Sequence, residues 1–237
     1  MKFESQVVLI AGGTGGLGRA VSLAFLSEGA NVTVTFMVDS EFAALKTAAG
    51  SNASRLAGRK VDVTSESAVR QLIEGIVAEH GPLDALVNTV GGYAGGKKLW
   101  ESDGAALDKM LALNLRSGFE LSRAAAQVMA GQGSGAIVNI AAKAAFDHQP
   151  GLGAYAASKA AAVAMMDSLA ADLKGTGVRV NSILPSIIDT EANRKAMPHA
   201  NFDTWPKPEE IARVIVFLCS DNAKVIHGAA IPVYGNY

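Results

Sequence analysis

Short β-rich runs alternate with longer helical segments along the chain, and this alternation constrains the fold more than any other feature. Strands are predicted at residues 6–11, 31–36, 60–63, 83–88, 136–140, 179–184 and 230–233. Helices are predicted between them at 17–28, 41–49, 66–80, 105–130, 154–174 and 209–220. Because a helix separates each strand from the next, the sequence predicts an α/β fold with a parallel sheet of about seven strands.

Composition agrees with one compact domain. Hydrophobic residues make up 49% of the 237 residues and charged residues 18%, a profile that suits a buried parallel sheet. No linker rich in proline, glycine or serine divides the chain, so residues 1–237 predict a single domain. Residues 187–206 have no firm assignment. As a long segment after a strand, they are a candidate substrate lid.

Charge and hydropathy narrow the classes of partner. The net charge is −1 with no basic stripe, which argues against a nucleic-acid partner. No window approaches the run of about 18 apolar residues that a membrane span needs, and no signal peptide is recognisable, so we expect a cytoplasmic protein without a membrane partner. Cys219 is the only cysteine and lies in an apolar stretch, which predicts a packed thiol. We assign no metal site.

A glycine-rich stretch, AGGTGGLGRA, joins the first predicted strand to the first helix. Such a loop needs glycine where a Cβ would forbid the turn or block a pyrophosphate from the backbone N–H groups. The following helix adds the positive end of its dipole. The sequence therefore predicts a doubly wound sheet of the Rossmann type that binds a dinucleotide through Gly12, Thr14, Gly15, Gly16, Leu17 and Gly18.

Residues after the next three strands are expected to complete the nucleotide site. A carboxylate after the second strand would bind the adenosine ribose of NAD(H), whereas Arg or Lys would suit the 2′-phosphate of NADP(H). Asp39 favours NAD(H), but its distance from the glycines leaves NAD(H) or NADP(H) open. Asp62 and Val63 are expected to flank the adenine, and Asn88 and Gly91 to lie beside the cofactor. The alternative for each is an ordinary turn after a strand.

Tyr155 and Lys159 are four residues apart, on one face of a predicted helix. A phenol with a pKa of about 10 is a poor acid–base catalyst at neutral pH. A nearby ammonium, reinforced by an oxidised nicotinamide ring, would favour the phenolate and lower that pKa. We therefore predict that Tyr155 is the proton donor and that Lys159 assists it. The alternative is a helix with one aromatic residue and one solvated lysine.

Together these motifs resemble the short-chain dehydrogenase/reductase family over almost the whole chain. The matching segments are the GxxxGxG loop, Asp62-Val63, NTVG at 88–91, Asn114 in ALNL, YxxxK and PSIIDT at 185–190. In that family the tyrosine exchanges the substrate proton, the lysine hydrogen-bonds the nicotinamide ribose, and an asparagine holds a water in a proton relay. The resemblance implies that Tyr155, Lys159 and Asn114 are catalytic and that Pro185, Ile188 and Thr190 contact the cofactor.

One position departs from that family. A serine usually stands 13 residues before the tyrosine and polarises a substrate oxygen, but this chain has Ala142 there. An alanine cannot donate a hydrogen bond to a carbonyl, so part of the usual stabilisation is missing. Either the protein binds the nucleotide without turnover, as a sensor, or its substrate is not a simple ketone or alcohol.

Three segments favour a different substrate because they resemble dihydropteridine reductases. These are AAKAAFDHQPGLGAYAASK, GGYAGGKKLW and DTEANRKAMPHANFDTW, and those reductases also carry alanine in place of the serine. The resemblance implies hydride transfer to a quinonoid dihydropterin, with Tyr93 or Trp205 stacked on the flat ring. Ala142 and Gln149 are the other candidate substrate contacts. For both aromatics, packing within a loop is the alternative.

Three functions follow from these patterns. The main hypothesis is hydride transfer from NAD(P)H to a small acceptor, with a dihydropterin as the specific candidate. The second is a generic carbonyl or alcohol oxidoreductase that works with Tyr155, Lys159 and Asn114. The third is a non-catalytic NAD(P)-binding sensor. By analogy we also expect a homodimer or homotetramer that associates through the long helices, where residues 160–164 offer a small-residue face.

Overall fold

The structure is a computed structural model and describes residues 3–236. Its strands are β1 (Val7–Ala11), β2 (Asn31–Phe36), β3 (Leu56–Lys60), β4 (Ala85–Asn88), β5 (Gly135–Ile140), β6 (Val178–Pro185) and β7 (Ala229–Val233). They form one sheet in the order β3-β2-β1-β4-β5-β6-β7, with every neighbouring pair parallel. The predicted doubly wound α/β fold is confirmed. The strand order reverses between β1 and β4, where such sheets open a ligand crevice.

Within residues 3–236, eight α-helices connect and cover the strands. They are α1 (Gly16–Ser27), α2 (Asp39–Ala49), α3 (Glu66–His80), α4 (Gly104–Leu111), α5 (Ser117–Gln132), α6 (Gly153–Asp172), α7 (Glu191–Ala196) and α8 (Pro208–Cys219). Among residues 3–236, no helix combines the length and the apolar character that a bilayer crossing requires.

Two apolar cores lie on opposite faces of the sheet. In β1, Val8 and Ile10 join the core beneath α1 and α8, whereas Val7 and Leu9 join the core beneath α3, α5 and α6. Side chains of a strand alternate between the faces, so a strand covered on both sides is apolar throughout. This explains the uninterrupted run VVLIA. Cys219 is buried in the first core, which agrees with the predicted packed thiol, and burial raises its pKa to about 12.

The third strand lies four residues earlier than predicted. The β-branched residues of 60–63 favoured a strand there, but β3 ends at Lys60 because it pairs with β2 from Val32↔Leu56 to Phe36↔Lys60. Gly58 allows this register. A Cβ at Gly58 would lie 2.4 Å from Cζ of Phe42, so the ring of α2 packs where a side chain would stand.

The predicted helix 105–130 is interrupted. The five residues Ala112–Arg116, which include Asn114, form a π-helical turn between α4 and α5. Such turns insert an extra residue without ending the helix, so the apolar spacing on either side still looks continuous in the sequence. Residues 187–206 are also more regular than the sequence indicated, because they contain α7 and a short 3₁₀ turn at Phe202–Thr204.

Candidate active site

The glycine loop turns tightly between β1 and α1. Gly12 has φ +73°, a left-handed conformation that side chains rarely adopt. A Cβ at Gly18 would lie 2.1 Å from the Gly12 carbonyl oxygen, and one at Gly13 would lie 2.4 Å from Cγ1 of Val34. A Cβ at Gly15 would meet only ordinary contacts, at 3.5 Å. Gly12, Gly13 and Gly18 are therefore required by packing, whereas Gly15 faces open space.

Neighbouring strands hold this loop in place. The Gly12 N–H donates to Oγ1 of Thr35 at 3.0 Å, and Oγ1 of Thr89 donates to the Ala11 carbonyl at 2.7 Å. The N-cap of α1 is Gly15, which has no side chain to cap the helix. The first N–H groups of α1 and its dipole therefore face the crevice, and this cradle fits a dinucleotide pyrophosphate.

Two carboxylates lie at the end of the crevice where β2 ends. Asp39 begins α2 and forms an ion pair with Lys60 at 2.6 Å. Glu41, on the same helix, accepts a hydrogen bond from Oγ1 of Thr14 at 2.9 Å, which connects it to the glycine loop. The sequence analysis missed Glu41, since its distance from the loop depends on how α2 is oriented.

Three other predicted cofactor residues shape turns after the strands. Asp62 accepts hydrogen bonds from the backbone N–H and the hydroxyl of Thr64, and these lower the pKa of its carboxyl. Val63 is buried beneath this turn. Asn88 donates to Oδ1 of Asn139 at 3.0 Å and accepts from the Val90 N–H at 3.1 Å. The buried Asn88 thus fixes the turn that leads to Gly91.

The ammonium of Lys159 lies at the base of the crevice. Nζ donates to the Ile140 carbonyl at 2.9 Å, and burial lowers its pKa to about 8. A Cβ at Gly91 would lie 3.2 Å from this Nζ and 2.8 Å from Oδ1 of Asn114. The structure thus brings Lys159, Asn114 and Gly91 together, and only glycine fits between the other two.

Asn114 occupies the π-helical turn and is held by four hydrogen bonds, the longest from its Nδ2 to Sδ of Met110 at 3.6 Å. Its Nδ2 donates to the Gly92 carbonyl and to Oγ of Ser158, both at 3.0 Å, and its Oδ1 accepts from the Gly92 N–H at 2.9 Å. Ser158 in turn donates to the Tyr155 carbonyl at 2.7 Å. The remaining lone pair of Oδ1 is the group that could hold a water. Ser158, missed from the sequence, was marked only by its place next to Lys159.

Tyr155 is half-buried beside the cavity, with the Tyr93 ring edge-on at a centroid distance of 5.2 Å. Burial, and secondarily Tyr93, raise the pKa of Tyr155 to about 12. Lys159 was expected to lower this pKa, together with an oxidised nicotinamide ring, but the loss of water around the phenol raises it here. The hydroxyl is therefore protonated at neutral pH.

These groups border one open cavity of about 580 Å³ at the carboxyl ends of the strands. Among its lining residues, the predicted ones are Leu17, Gly91, Tyr93, Ala142, Gln149, Tyr155, Lys159, Pro185 and Ile188. Lys143, Asp147 and Asn193 also line it and were not predicted. Trp205 does not. It is 3% exposed and packs on Phe202 at 5.0 Å, so ring stacking with a substrate can involve Tyr93 but not Trp205.

Segment 187–206 covers one side of the cavity and is pinned at both ends. Asp189, only 4% exposed, pairs with Arg194 and with Lys207. These partners hold the pKa of its carboxyl far below the usual range. Thr190 caps α7 by accepting from the Asn193 N–H at 3.2 Å. Its methyl group touches the glycine loop, since a Cβ at Gly16 would lie 2.8 Å from Cγ2 of Thr190.

The family model for short chain dehydrogenases matches residues 6–201. The chain belongs to this family. As a short-chain dehydrogenase/reductase it is an NAD(P)-dependent oxidoreductase. It is 33% identical to the D-threitol dehydrogenase of Mycolicibacterium smegmatis over 248 residues, which cover 100% of this chain and 94% of the relative.

Two further relatives of this short-chain dehydrogenase point to the same class. The 3-oxoacyl-[acyl-carrier-protein] reductase of Thermotoga maritima is 30% identical, with 99% of this chain and 98% of the relative covered. The structure of ElxO with NADP bound superposes with a TM-score of 0.93 at 27% identity, covering 100% of this chain and 99% of that one. None of the three is a dihydropteridine reductase, so that finer resemblance remains a hypothesis about the substrate.

Proposed function

We propose that this enzyme transfers hydride from NAD(P)H to a small planar acceptor, with a quinonoid dihydropterin as the leading candidate. The observation that carries the proposal is that Tyr155 and the buried Lys159 line the same cavity as the alanines at 141 and 142. A carbonyl acceptor develops an alkoxide that needs a donor at position 142, whereas a conjugated C=N acceptor does not. All three segments that resemble dihydropteridine reductases contribute to the cavity wall, through Tyr93, Gln149 and Asn193.

The reaction adds one hydride and one proton to the acceptor. The hydride comes from the reduced nicotinamide when the nucleotide is bound. Tyr155 supplies the proton, and a pKa of about 12 keeps the phenol protonated at neutral pH, which suits the reductive direction. As the proton leaves, the buried ammonium of Lys159 stabilises the developing phenolate. Asn114 holds a water that returns a proton from solvent.

In this proposal the crevice between β1 and β4 would hold the nucleotide. Gly15, Gly16 and the first turn of α1 would hold the pyrophosphate, and at Gly15 a Cβ would intrude on a close backbone approach. NAD(H) is preferred over NADP(H), because a 2′-phosphate would meet the carboxylates of Asp39 and Glu41. A KM for NADPH at or below that for NADH would contradict this preference.

The decisive test is Tyr155→Phe, assayed with quinonoid dihydropterin and with simple ketones, each with NADH and NADPH. We expect kcat for the preferred acceptor to fall by about 10²–10⁴-fold, because the proton donor is lost. The Kd for NADH should stay within about twofold. Unchanged turnover would remove Tyr155 from the mechanism, and nucleotide binding without turnover in the unmodified enzyme would favour a sensor.

A second candidate is a generic carbonyl or alcohol oxidoreductase, which the named relatives support equally well. It would use Tyr155, Lys159 and Asn114 without a donor at position 142. Reduction of ordinary ketones, combined with failure on quinonoid dihydropterin, would select this candidate over the pterin reductase.

The enzyme is also proposed to be a cytoplasmic homodimer or homotetramer. The supporting feature is an apolar groove of about 730 Å³ between α4, α5 and α6. Phe119 stands in this groove with 45% of its surface exposed, and Ala161, from the predicted small-residue face, lines it too.

A further inference from the structure

A lysine and a carboxylate face the substrate cavity from the turn after β5. Lys143 directly follows Ala142, and Asp147 lies four residues further along the same turn. Nζ of Lys143 is 3.5 Å from Oδ2 of Asp147, and both residues line the cavity that contains Tyr155. Neither side chain has a part in the proposed proton transfer.

The position of Lys143 is fixed by an aromatic surface. Its Nζ lies 5.4 Å from the centroid of the Tyr234 ring, within the range of a cation–π interaction. The backbone of Tyr234 is held in turn, since its carbonyl accepts from Oγ of Ser186 at 2.7 Å. The backbone N–H of Asp147 also donates to the Lys143 carbonyl at 2.9 Å, which fixes the spacing of the pair.

This pair is chemically asymmetric, and much of the remaining cavity lining is apolar. An ammonium only donates hydrogen bonds and an ionised carboxylate only accepts them. The rest of the lining includes the apolar side chains of Leu17, Leu152, Ile187, Ile188 and Met197, with Thr89, Gln149, Ser186 and Asn193 among its polar ones. A ligand that satisfies this cavity is therefore flat and largely apolar on its faces, with an acceptor and a donor side by side on one edge.

We infer that Lys143 and Asp147 are specificity-determining residues that bind a lactam-type edge of the substrate, with its C=O on Lys143 and the adjacent N–H on Asp147. This deepens the proposed function and rests on it, because the pair borders the same cavity as Tyr155. The substrate class is a nitrogen heterocycle whose ring carries a C=O beside an N–H. Pterins have this edge, and simple ketones do not.

The test measures binding separately from turnover. The enzyme, saturated with oxidised NAD, is titrated with fully oxidised pterin, whose fluorescence reports binding and which is not reduced under these conditions. We expect Lys143→Gln and Asp147→Asn each to raise the Kd for pterin by about tenfold or more, the loss typical of a charged hydrogen bond. The double variant should raise the Kd by less than the product of the two single effects, because the two residues hold one edge and contact each other.

Two controls accompany the titration. Quinoxaline, a flat two-ring heterocycle without a C=O beside an N–H, should bind all variants with a Kd within twofold of the unmodified enzyme. The exposed pair Glu191–Lys195 has the same four-residue spacing, and it lies outside the cavity lining. The Lys195→Gln variant should therefore leave pterin binding unchanged.

Several results would overturn the inference. One is that the unmodified enzyme binds no pterin, and another is that the variants weaken quinoxaline binding as much as pterin binding. A third such result is weaker pterin binding by Lys143→Gln with tighter pterin binding by Asp147→Asn. The last pattern would indicate a site for an anionic substrate. If pterin binding depends on both residues but quinonoid dihydropterin is not reduced, the proposed function fails and the inference stands. If the dihydropterin is reduced equally well by all variants, the inference fails and the proposed function stands.

Discussion

At the scale of single residues, the buried ammonium of Lys159 makes stability depend on pH. Its pKa is about 8 in the folded protein against 10.5 for an ordinary lysine, because burial disfavours the charged form. Between these pH values the unfolded chain binds a proton that the folded protein does not. The free energy of unfolding therefore gains a contribution that grows as pH rises through this window.

The variant Lys159→Met isolates that contribution. We expect the free energy of unfolding of the natural protein, minus that of the variant, to increase by about 3 kcal/mol from pH 8 to 10.5. Urea unfolding at a series of pH values measures it. The buried Cys219 thiol titrates in both proteins, so its effect cancels in the difference. A difference that does not change with pH would show that Lys159 has an ordinary pKa.

The alanine at position 142 yields a prediction about substrate choice. Ala142 is buried and lines the cavity, so Ala142→Ser places a hydroxyl near the reacting atoms. We expect kcat/KM for simple ketones to rise by about tenfold or more, because a donor then faces the developing alkoxide. The value for quinonoid dihydropterin should change by less than about threefold. Ala141→Ser, next to it on the chain, serves as the matched control.

The sequence predicted a site residue well when the order of strands and motifs determines its position, and poorly when the direction of its side chain does. Tyr155, Lys159 and Gly91 meet because parallel strands end at one edge of the sheet, which the order of motifs implies. Glu41 and Lys143 were missed because their reach into the site depends on side-chain direction. Trp205 shows the opposite error. It was a candidate substrate contact because it is an aromatic residue in a substrate-side segment, but it packs on Phe202 inside that segment.

At the scale of elements, the glycine loop contains one glycine that packing requires and another that nucleotide binding is proposed to require. A Cβ at Gly18 would clash with the Gly12 carbonyl oxygen, whereas one at Gly15 would meet only ordinary contacts. We expect Gly18→Ala to lower the free energy of unfolding by about 2–4 kcal/mol, as overpacking against a rigid backbone does. Thermal unfolding without nucleotide measures this.

The matched variant Gly15→Ala should behave differently. It should change the free energy of unfolding by less than about 0.5 kcal/mol, because its added methyl group faces open space. It should nevertheless weaken NADH binding, because the pyrophosphate is proposed to approach the backbone at this residue. Equal stability losses in the two variants would contradict the loop geometry.

The elements differed in how well the sequence predicted them. Strands β1, β2, β5 and β6 follow from short β-rich runs in the sequence, of which only β1 is apolar throughout. β3 was misplaced because its position depends on the register with β2 and on the contact between Gly58 and Phe42, which are both long-range. The π-helical turn at Asn114 leaves the apolar spacing almost unchanged, so periodicity could not reveal it.

At the scale of the whole molecule, the groove between α4, α5 and α6 predicts self-association. Phe119→Glu would place a charge in an apolar contact, and we expect it to shift the protein towards monomers in light scattering. Phe119→Tyr, which keeps the size and most of the apolar surface, should leave the assembly intact. A natural protein that is already monomeric at micromolar concentration would contradict the proposed association.

The contact between Thr190 and Gly16 has a kinetic consequence for the whole enzyme. The same segment that covers the substrate side also rests on the phosphate-binding loop, so we expect it to cover a substrate fully only after the dinucleotide has bound at that loop. We then expect an ordered kinetic mechanism, in which the nucleotide binds first and dissociates last. Product-inhibition patterns would reveal that order, and competition between nucleotide and acceptor for the free enzyme would exclude it.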